Sequence, residues 1–176
     1  MPRVLAPLLL LAGCASQTQP PMATVPEVDL KRFMGDWYVI ANIPTFIEKG
    51  AHNAVESYEL NPDGTVKTTF TFRKDGFDGQ AKTYYPTGFV KPGTGNAVWG
   101  MQFIWPIKAD YRIVYLTPDY SQTVIGRNAR DHVWIMARAP SIPDGDYAVI
   151  LAHLKQLGYD VAALRKVPQR WTGQQP

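Results

Sequence analysis

Few side chains in this chain could do covalent or acid–base chemistry. There is a single thiol, Cys14, and there are three imidazoles, His52, His132 and His153. A thiolate can serve as nucleophile or metal ligand, but one Cys excludes an intramolecular disulfide framework and an all-Cys zinc site. The three His follow no H-E-x-x-H or other metal spacing, and no G-x-S-x-G elbow presents a nucleophilic Ser. Asp and Glu are scattered. No catalytic set, no metal site and no cofactor are expected from these residues, so a protein that is not an enzyme is expected.

The position of the thiol carries more information than its reactivity. Arg3 is followed by an apolar run over 4–11 and then by Ala12, Gly13 and Cys14. A charged start, an apolar stretch and small residues before a cut site form a secretory signal. The run falls short of the ~20 residues that span a bilayer. Leu11-Ala12-Gly13-Cys14 resembles a bacterial lipobox. That resemblance implies that Cys14 is lipidated on sulfur, that the chain is cut before it and that the new amino group is acylated. Several acyl chains anchor a protein firmly, because each buried methylene adds roughly 0.8 kcal/mol. Ala15, rather than Asp, follows the Cys. By resemblance to sorted enterobacterial lipoproteins this implies the outer membrane, through a lipid anchor, with the domain facing the periplasm. Residues 1–13 are then the signal peptide. Residues 14–28 are rich in Gln, Thr, Ser and Pro and read as a tether. The folded domain takes 29–176.

A chain of 176 residues with 45% hydrophobic and 19% charged residues can bury the core of one domain. A net charge of +3 with no long basic run argues against nucleic acid as a partner. Aromatics at 12%, with 14 Gly and 15 Pro, lean towards an all-β protein. Short strands are expected over 37–41, 54–60, 65–73, 79–86, 96–104, 111–116, 123–126 and 132–138. Asn61-Pro62-Asp63-Gly64 and Lys74-Asp75-Gly76 mark two of the turns. After Pro143 the pattern changes: Tyr147, Ile150, Leu151, Leu154 and Leu157 recur at helical spacing. Asp144 or Asp146 is placed to cap this helix and Gly158 to end it, with a further helical turn over 160–165. Eight antiparallel strands can close into a barrel that holds one small ligand, with the helix packed outside.

Three short stretches point to a family. Gly35-Asp36-Trp37-Tyr38 resembles the G-x-W motif of lipocalins. Thr117-Pro118-Asp119-Tyr120 resembles their T-D-Y motif, with Pro118 inserted before the Asp. Arg138, in Ile135-Met136-Ala137-Arg138-Ala139-Pro140, resembles the third. Their order, the trailing helix and the lipobox are together similar to the bacterial outer-membrane lipocalins, over residues 29–171. The resemblance implies an eight-stranded antiparallel up-and-down barrel with a C-terminal α-helix outside it. It also implies that Arg138 packs over Trp37 at the closed end, a cation–π contact worth roughly 0.5–2 kcal/mol. Gly35, Trp37, Thr117, Asp119, Tyr120 and Arg138 are accordingly structural motif residues.

Alternation along the strands then names a lining. Trp37 inward carries Val39 and Ala41 with it; Arg138 over Trp37 carries Trp134 and His132. The remaining strands offer Glu56 and Tyr58, Phe70 and Phe72, Thr83 and Tyr85, Trp99, Met101 and Phe103, and Tyr111, Ile113 and Tyr115. Such a set, apolar and aromatic with a few hydroxyls, suits an amphiphile. Glu56 and His132 are either solvated rim residues or contacts for a ligand head group. The loop over 44–50 holds an exposed-looking Phe46-Ile47 pair, readable as a lid, a dimer contact or a membrane contact. The expected function is lipid binding and transport by an outer-membrane lipoprotein, holding a fatty acid or lysophospholipid, in membrane maintenance or stress. An enzyme on the same scaffold, acting on a small hydrophobic substrate, is the alternative. Expected partners are the lipid and the outer membrane, reached through the N-terminal acyl groups; a homodimer is left open.

Overall fold

The computed structural model describes residues 20–171; Cys14, the lipobox and the signal stretch lie outside the described residues. The strands are β1 (Gly35–Ile43), β2 (Ala51–Leu60), β3 (Thr65–Lys74), β4 (Ala81–Tyr84), β5 (Thr87–Val90), β6 (Val98–Ile104), β7 (Ile107–Leu116), β8 (Gln122–Gly126), β9 (Val133–Ala137) and β10 (Arg165–Lys166). Every pairing is antiparallel, in the order β10-β1-β2-β3-β5-β6-β7-β8-β9, with β4 beside β3. A β1–β9 pairing closes the sheet on itself. β4 and β5 are two pieces of one barrel strand, broken at Tyr85-Pro86 because a proline cannot donate to the ladder. The result is the expected eight-stranded up-and-down barrel.

The closed end is sealed from inside. Asp29 caps the short helix α1 (Leu30–Phe33), its side chain accepting from the amides of Lys31 and Arg32. That turn drives Phe33 into the barrel, where its ring lies 5.0 Å from Trp37, 5.7 Å from Tyr58 and 5.6 Å from Trp99. The Trp37 indole donates to Phe33 O at 2.8 Å. Arg138 sits 3.8 Å from the Trp37 ring and donates to the carbonyls of Asp36, Arg32, Phe33 and Met34. Gly35 holds φ +91°, a left-handed backbone that L side chains rarely adopt, so glycine suits the turn. In the β7–β8 turn, Thr117 Oγ1 accepts from the amides of Ser121 and Gln122, Asp119 accepts from Ser121, and the Tyr120 hydroxyl accepts from Asp29 N. The three motif stretches thus meet at one end of the molecule.

Two apolar layers sandwich the wall. One fills the barrel; the other lies between the wall and helix α2 (Asp144–Gln156), whose Ile150 and Leu154 are fully buried against residues such as Tyr38, Ile40, Val114 and Ile135. Neither Asp144 nor Asp146 caps α2: Pro143 occupies that position without a side-chain bond, and Asp146 instead accepts from Gln122. Gly158, at φ +89°, follows the last turn as expected. The further turn is a 3-10 helix, Val161–Ala163.

The tether expected over 14–28 is not loose throughout. Met22 and Val28 are buried. Met22 N donates to Asn128 Oδ1, Val25 N to Ile113 O and Val28 N to Gly95 O. From Pro20 onward this segment is a packed strap, with Met22 in the outer layer and Val28 in the inner one, so the apparent polarity of its composition masked two packed side chains.

Candidate functional site

The other end of the barrel opens into a cavity of about 270 Å³. Its wall combines Glu56 from β2, Thr68 and Phe70 from β3, Met101, Phe103 and Ile104 from β6, Ile107, Ala109, Asp110 and Tyr111 from β7, and Ile125 from β8. Trp134 of β9, Pro86, Arg127 and the loop residues Thr45 to Glu48 complete it. Small-molecule pockets usually run to ~300–1,000 Å³, so this one suits a single slender apolar segment.

Six of the expected lining residues come together here: Glu56, Phe70, Met101, Phe103, Tyr111 and Trp134. Val39, Tyr58, Phe72, Trp99 and Ile113 also face the interior, but pack among themselves as core instead of bounding the cavity. Five others point elsewhere. Ala41 joins the outer layer, because a register shift between Val39 and Ala41 reverses the alternation. Tyr115 does the same after a shift between Ile113 and Tyr115, and lies against His153. In β4 the phase is opposite to expectation: Tyr84 stacks on Phe70 and Phe72 inside, which turns Thr83 and Tyr85 to solvent. His132 sits outside the cavity wall, its Nδ1 3.2 Å from Ile43 O. Of the Phe46-Ile47 pair only Phe46 is exposed; Ile47 packs on the inner core.

The polar groups of the cavity form a short chain at its base. Tyr58 donates its hydroxyl proton to Glu56 Oε2, which leaves Tyr111 to donate to the Tyr58 oxygen at 2.8 Å. The stack of Tyr111 on Trp99, centroids 5.0 Å apart, fixes the second ring. Burial pushes the Glu56 carboxyl up to about 7; the hydrogen bond from Tyr58 opposes this and the Glu48 charge adds to it. Burial, and then the Glu56 charge, pushes the Tyr58 and Tyr111 hydroxyls well above their ordinary value. Glu56 therefore changes charge near neutral pH while both hydroxyls keep their protons.

Glu48 is a site residue that strand alternation did not single out. It is buried, accepts a hydrogen bond from the Trp134 indole N–H at 2.6 Å and accepts from both the amide and the hydroxyl of Thr45 at 2.9 Å. Thr45-x-x-Glu48 is the spacing of a reciprocal capping box, which was the available signal. Near the mouth, Arg127 lies 3.3 Å from Asp131, and its buried Nε has no partner among the described residues. Asp110 is held by Arg112 at 2.9 Å. Among the described residues no His or Cys lines the cavity. The arrangement leaves an apolar space with a carboxyl and two tyrosines at its inner end.

A family model described as a lipocalin-like domain matches residues 28–169. The chain is 31% identical to temperature-induced lipocalin-1 of Arabidopsis thaliana over 160 residues, covering 84% of this chain and 83% of that one. It is 28% identical to the outer membrane lipoprotein Blc of Citrobacter freundii over 164 residues, covering 91% and 90%. Among solved structures, insecticyanin from the tobacco hornworm Manduca sexta superposes with a TM-score of 0.68 at 15% identity, over 88% of this chain and 86% of that one. The cockroach allergen Per a 4 does so with a TM-score of 0.65 at 17% identity, over 86% and 94%.

Proposed function

This chain belongs to the lipocalin-like family, and on that premise we propose that it is a binding protein that takes the acyl chain of a fatty acid or lysophospholipid into its barrel. The observation that carries this is the cavity itself: open at one end and walled by Phe70, Met101, Phe103, Ile104, Ile107 and Trp134. The acyl chain would lie along those side chains and each methylene leaving water would gain about 0.8 kcal/mol. The apolar walls do not solvate a charged head, and the ionised form of Glu56 at the inner end repels a carboxylate there. An acyl chain therefore enters tail first and leaves its polar head at the mouth.

Export and anchoring belong to the same proposal. The lipobox at Cys14 and the likeness to proteins called outer membrane lipoprotein Blc support an outer-membrane lipoprotein, with 1–13 as signal peptide. The part of 14–28 from Met22 onward is packed and does not serve as a tether. Native mass spectrometry of protein purified from membranes, followed by lipid extraction, tests the ligand. One acyl lipid per chain is expected. Empty protein, or a ligand with no acyl chain, would contradict the assignment.

A further inference from the structure

We propose that the open mouth is itself a docking surface for a lipid bilayer, and that the N-terminal leash holds it there. The first observation is the rim. Phe46 is 83% exposed, Trp105 81%, Tyr85 73%, Ile104 72% and Ile107 70%. Phe46 belongs to the β1–β2 loop and Trp105 and its neighbours to the β6–β7 turn, both at the open end, while Tyr85, in the break between β4 and β5, lies on the outer wall beyond the Thr87–Gln102 pair, towards Ile104. These large apolar groups therefore gather at one end of the barrel instead of scattering over it. Contiguous exposed apolar surface marks an interaction site. Trp and Tyr suit the boundary between lipid and water, where one end of the ring is apolar and the other wet.

The second observation is continuity. Phe46, Ile104 and Ile107 are at once exposed and part of the cavity wall. The rim and the cavity form one apolar surface, so a tail could pass from a bilayer into the barrel without crossing water. A second copy of the chain would cover the rim but would also shut this path.

The third observation is where the chain leaves the described residues. Pro20 O accepts from Arg130 Nη2 at 2.9 Å, and Met22 N donates to Asn128. Both partners lie in the β8–β9 loop, which is at the open end, because β8 runs from the closed end to the mouth. Cys14 precedes Pro20 by six residues, a reach of at most about 20 Å. An acyl anchor on Cys14 would thus hold the mouth, and not the closed end, next to the membrane. This orientation rests on the lipoprotein assignment, and the passage of a tail rests on the proposed cavity ligand; the apolar contact of the rim requires neither.

The test uses the chain from residue 14 onward, which contains every described element, with Cys14→Ser so that no acyl group contributes. It is sedimented with phosphatidylcholine vesicles, alone and with added phosphatidylglycerol. Binding to both is expected, since the contact is apolar. The double variant Tyr85→Ser/Trp105→Ser, at two exposed residues outside the cavity wall, should partition at least tenfold less while keeping its far-ultraviolet circular dichroism and its uptake of an acyl-chain probe. Equal sedimentation of the two proteins, or none of the parent with either vesicle, would overturn the proposal. So would self-association of the parent that the double variant abolishes, since the rim would then be a dimer contact. Loss of probe uptake by the parent would overturn the cavity ligand alone, because vesicle sedimentation does not depend on it.

Discussion

At the closed end Phe33, Trp37, Tyr58 and Trp99 bury their rings against one another, and Arg138 donates to four backbone carbonyls. At the open end Phe46, Ile104 and Trp105 stand in solvent around a cavity, and Glu56 is kept inside at the cost of a displaced pKa. The same barrel strands run through both ends, so the contrast lies in the side chains and not in the backbone. One end satisfies its polar groups and excludes water. The other leaves apolar surface exposed and keeps a titratable carboxyl in a desolvated site, as a region kept ready for a ligand would. Stability should reside in the first region and ligand response in the second, and substitutions at each should separate them.

The largest loss is expected at the closed end. Trp37→Ala should destabilise the barrel by about 3–5 kcal/mol in urea unfolding, the usual cost of deleting a buried Trp. Arg138→Ala should cost less, and the double variant less than the sum, with a coupling of roughly 0.5–2 kcal/mol from the shared contact. Strict additivity would show that the two side chains do not support each other.

An intermediate effect, of opposite sign, is expected at the cavity base. The Glu56 carboxyl is raised from 4.5 to about 7 in the fold. Its proton therefore stabilises the folded state fully below pH ~4.5, and this contribution is lost as pH rises through about 7. The difference corresponds to roughly 3 kcal/mol at most. Glu56→Gln should remove that pH dependence and leave the domain more stable than the parent at pH 8, with little change at pH 4. Unfolding curves at the two pH values check this; a variant less stable at pH 8 would mean that the carboxylate is well accommodated. The smallest effect belongs to the rim: Phe46→Ser should change stability by no more than about 0.5 kcal/mol, as a surface substitution does.

The contrast between the ends also marks what could be read from the sequence. Closed-end residues were legible because Gly35, Trp37, Thr117, Asp119, Tyr120 and Arg138 sit in short motifs that resemble those of a known family; the long-range contact of Arg138 with Trp37 followed from that resemblance and not from local geometry. The barrel followed from strand spacing and turn chemistry. The cavity was legible only in part, because alternation predicts a face correctly until a bulge intervenes. The shifts after Val39 and after Ile113 turned Ala41 and Tyr115 outward, and the break at Pro86 left Tyr84, not Thr83 or Tyr85, facing in. Phe33 was invisible to a search for strands because it enters the barrel from a one-turn helix. Met22 and Val28 were hidden in a stretch whose average composition is polar, although each packs on its own merits.

The central claim, that the open end holds an acyl chain, is tested most directly by titrating amphiphiles of increasing chain length against tryptophan fluorescence, in parallel with Met101→Arg. Met101 lines the cavity wall in the middle of β6, where an unpaired guanidinium would meet the tail. Affinity for the parent should rise by about 0.8 kcal/mol per methylene until the cavity is full, and the folded Arg variant should bind markedly more weakly at every length. Affinity independent of chain length, or an Arg variant that is folded and binds like the parent, would contradict the claim and leave the barrel a structural module.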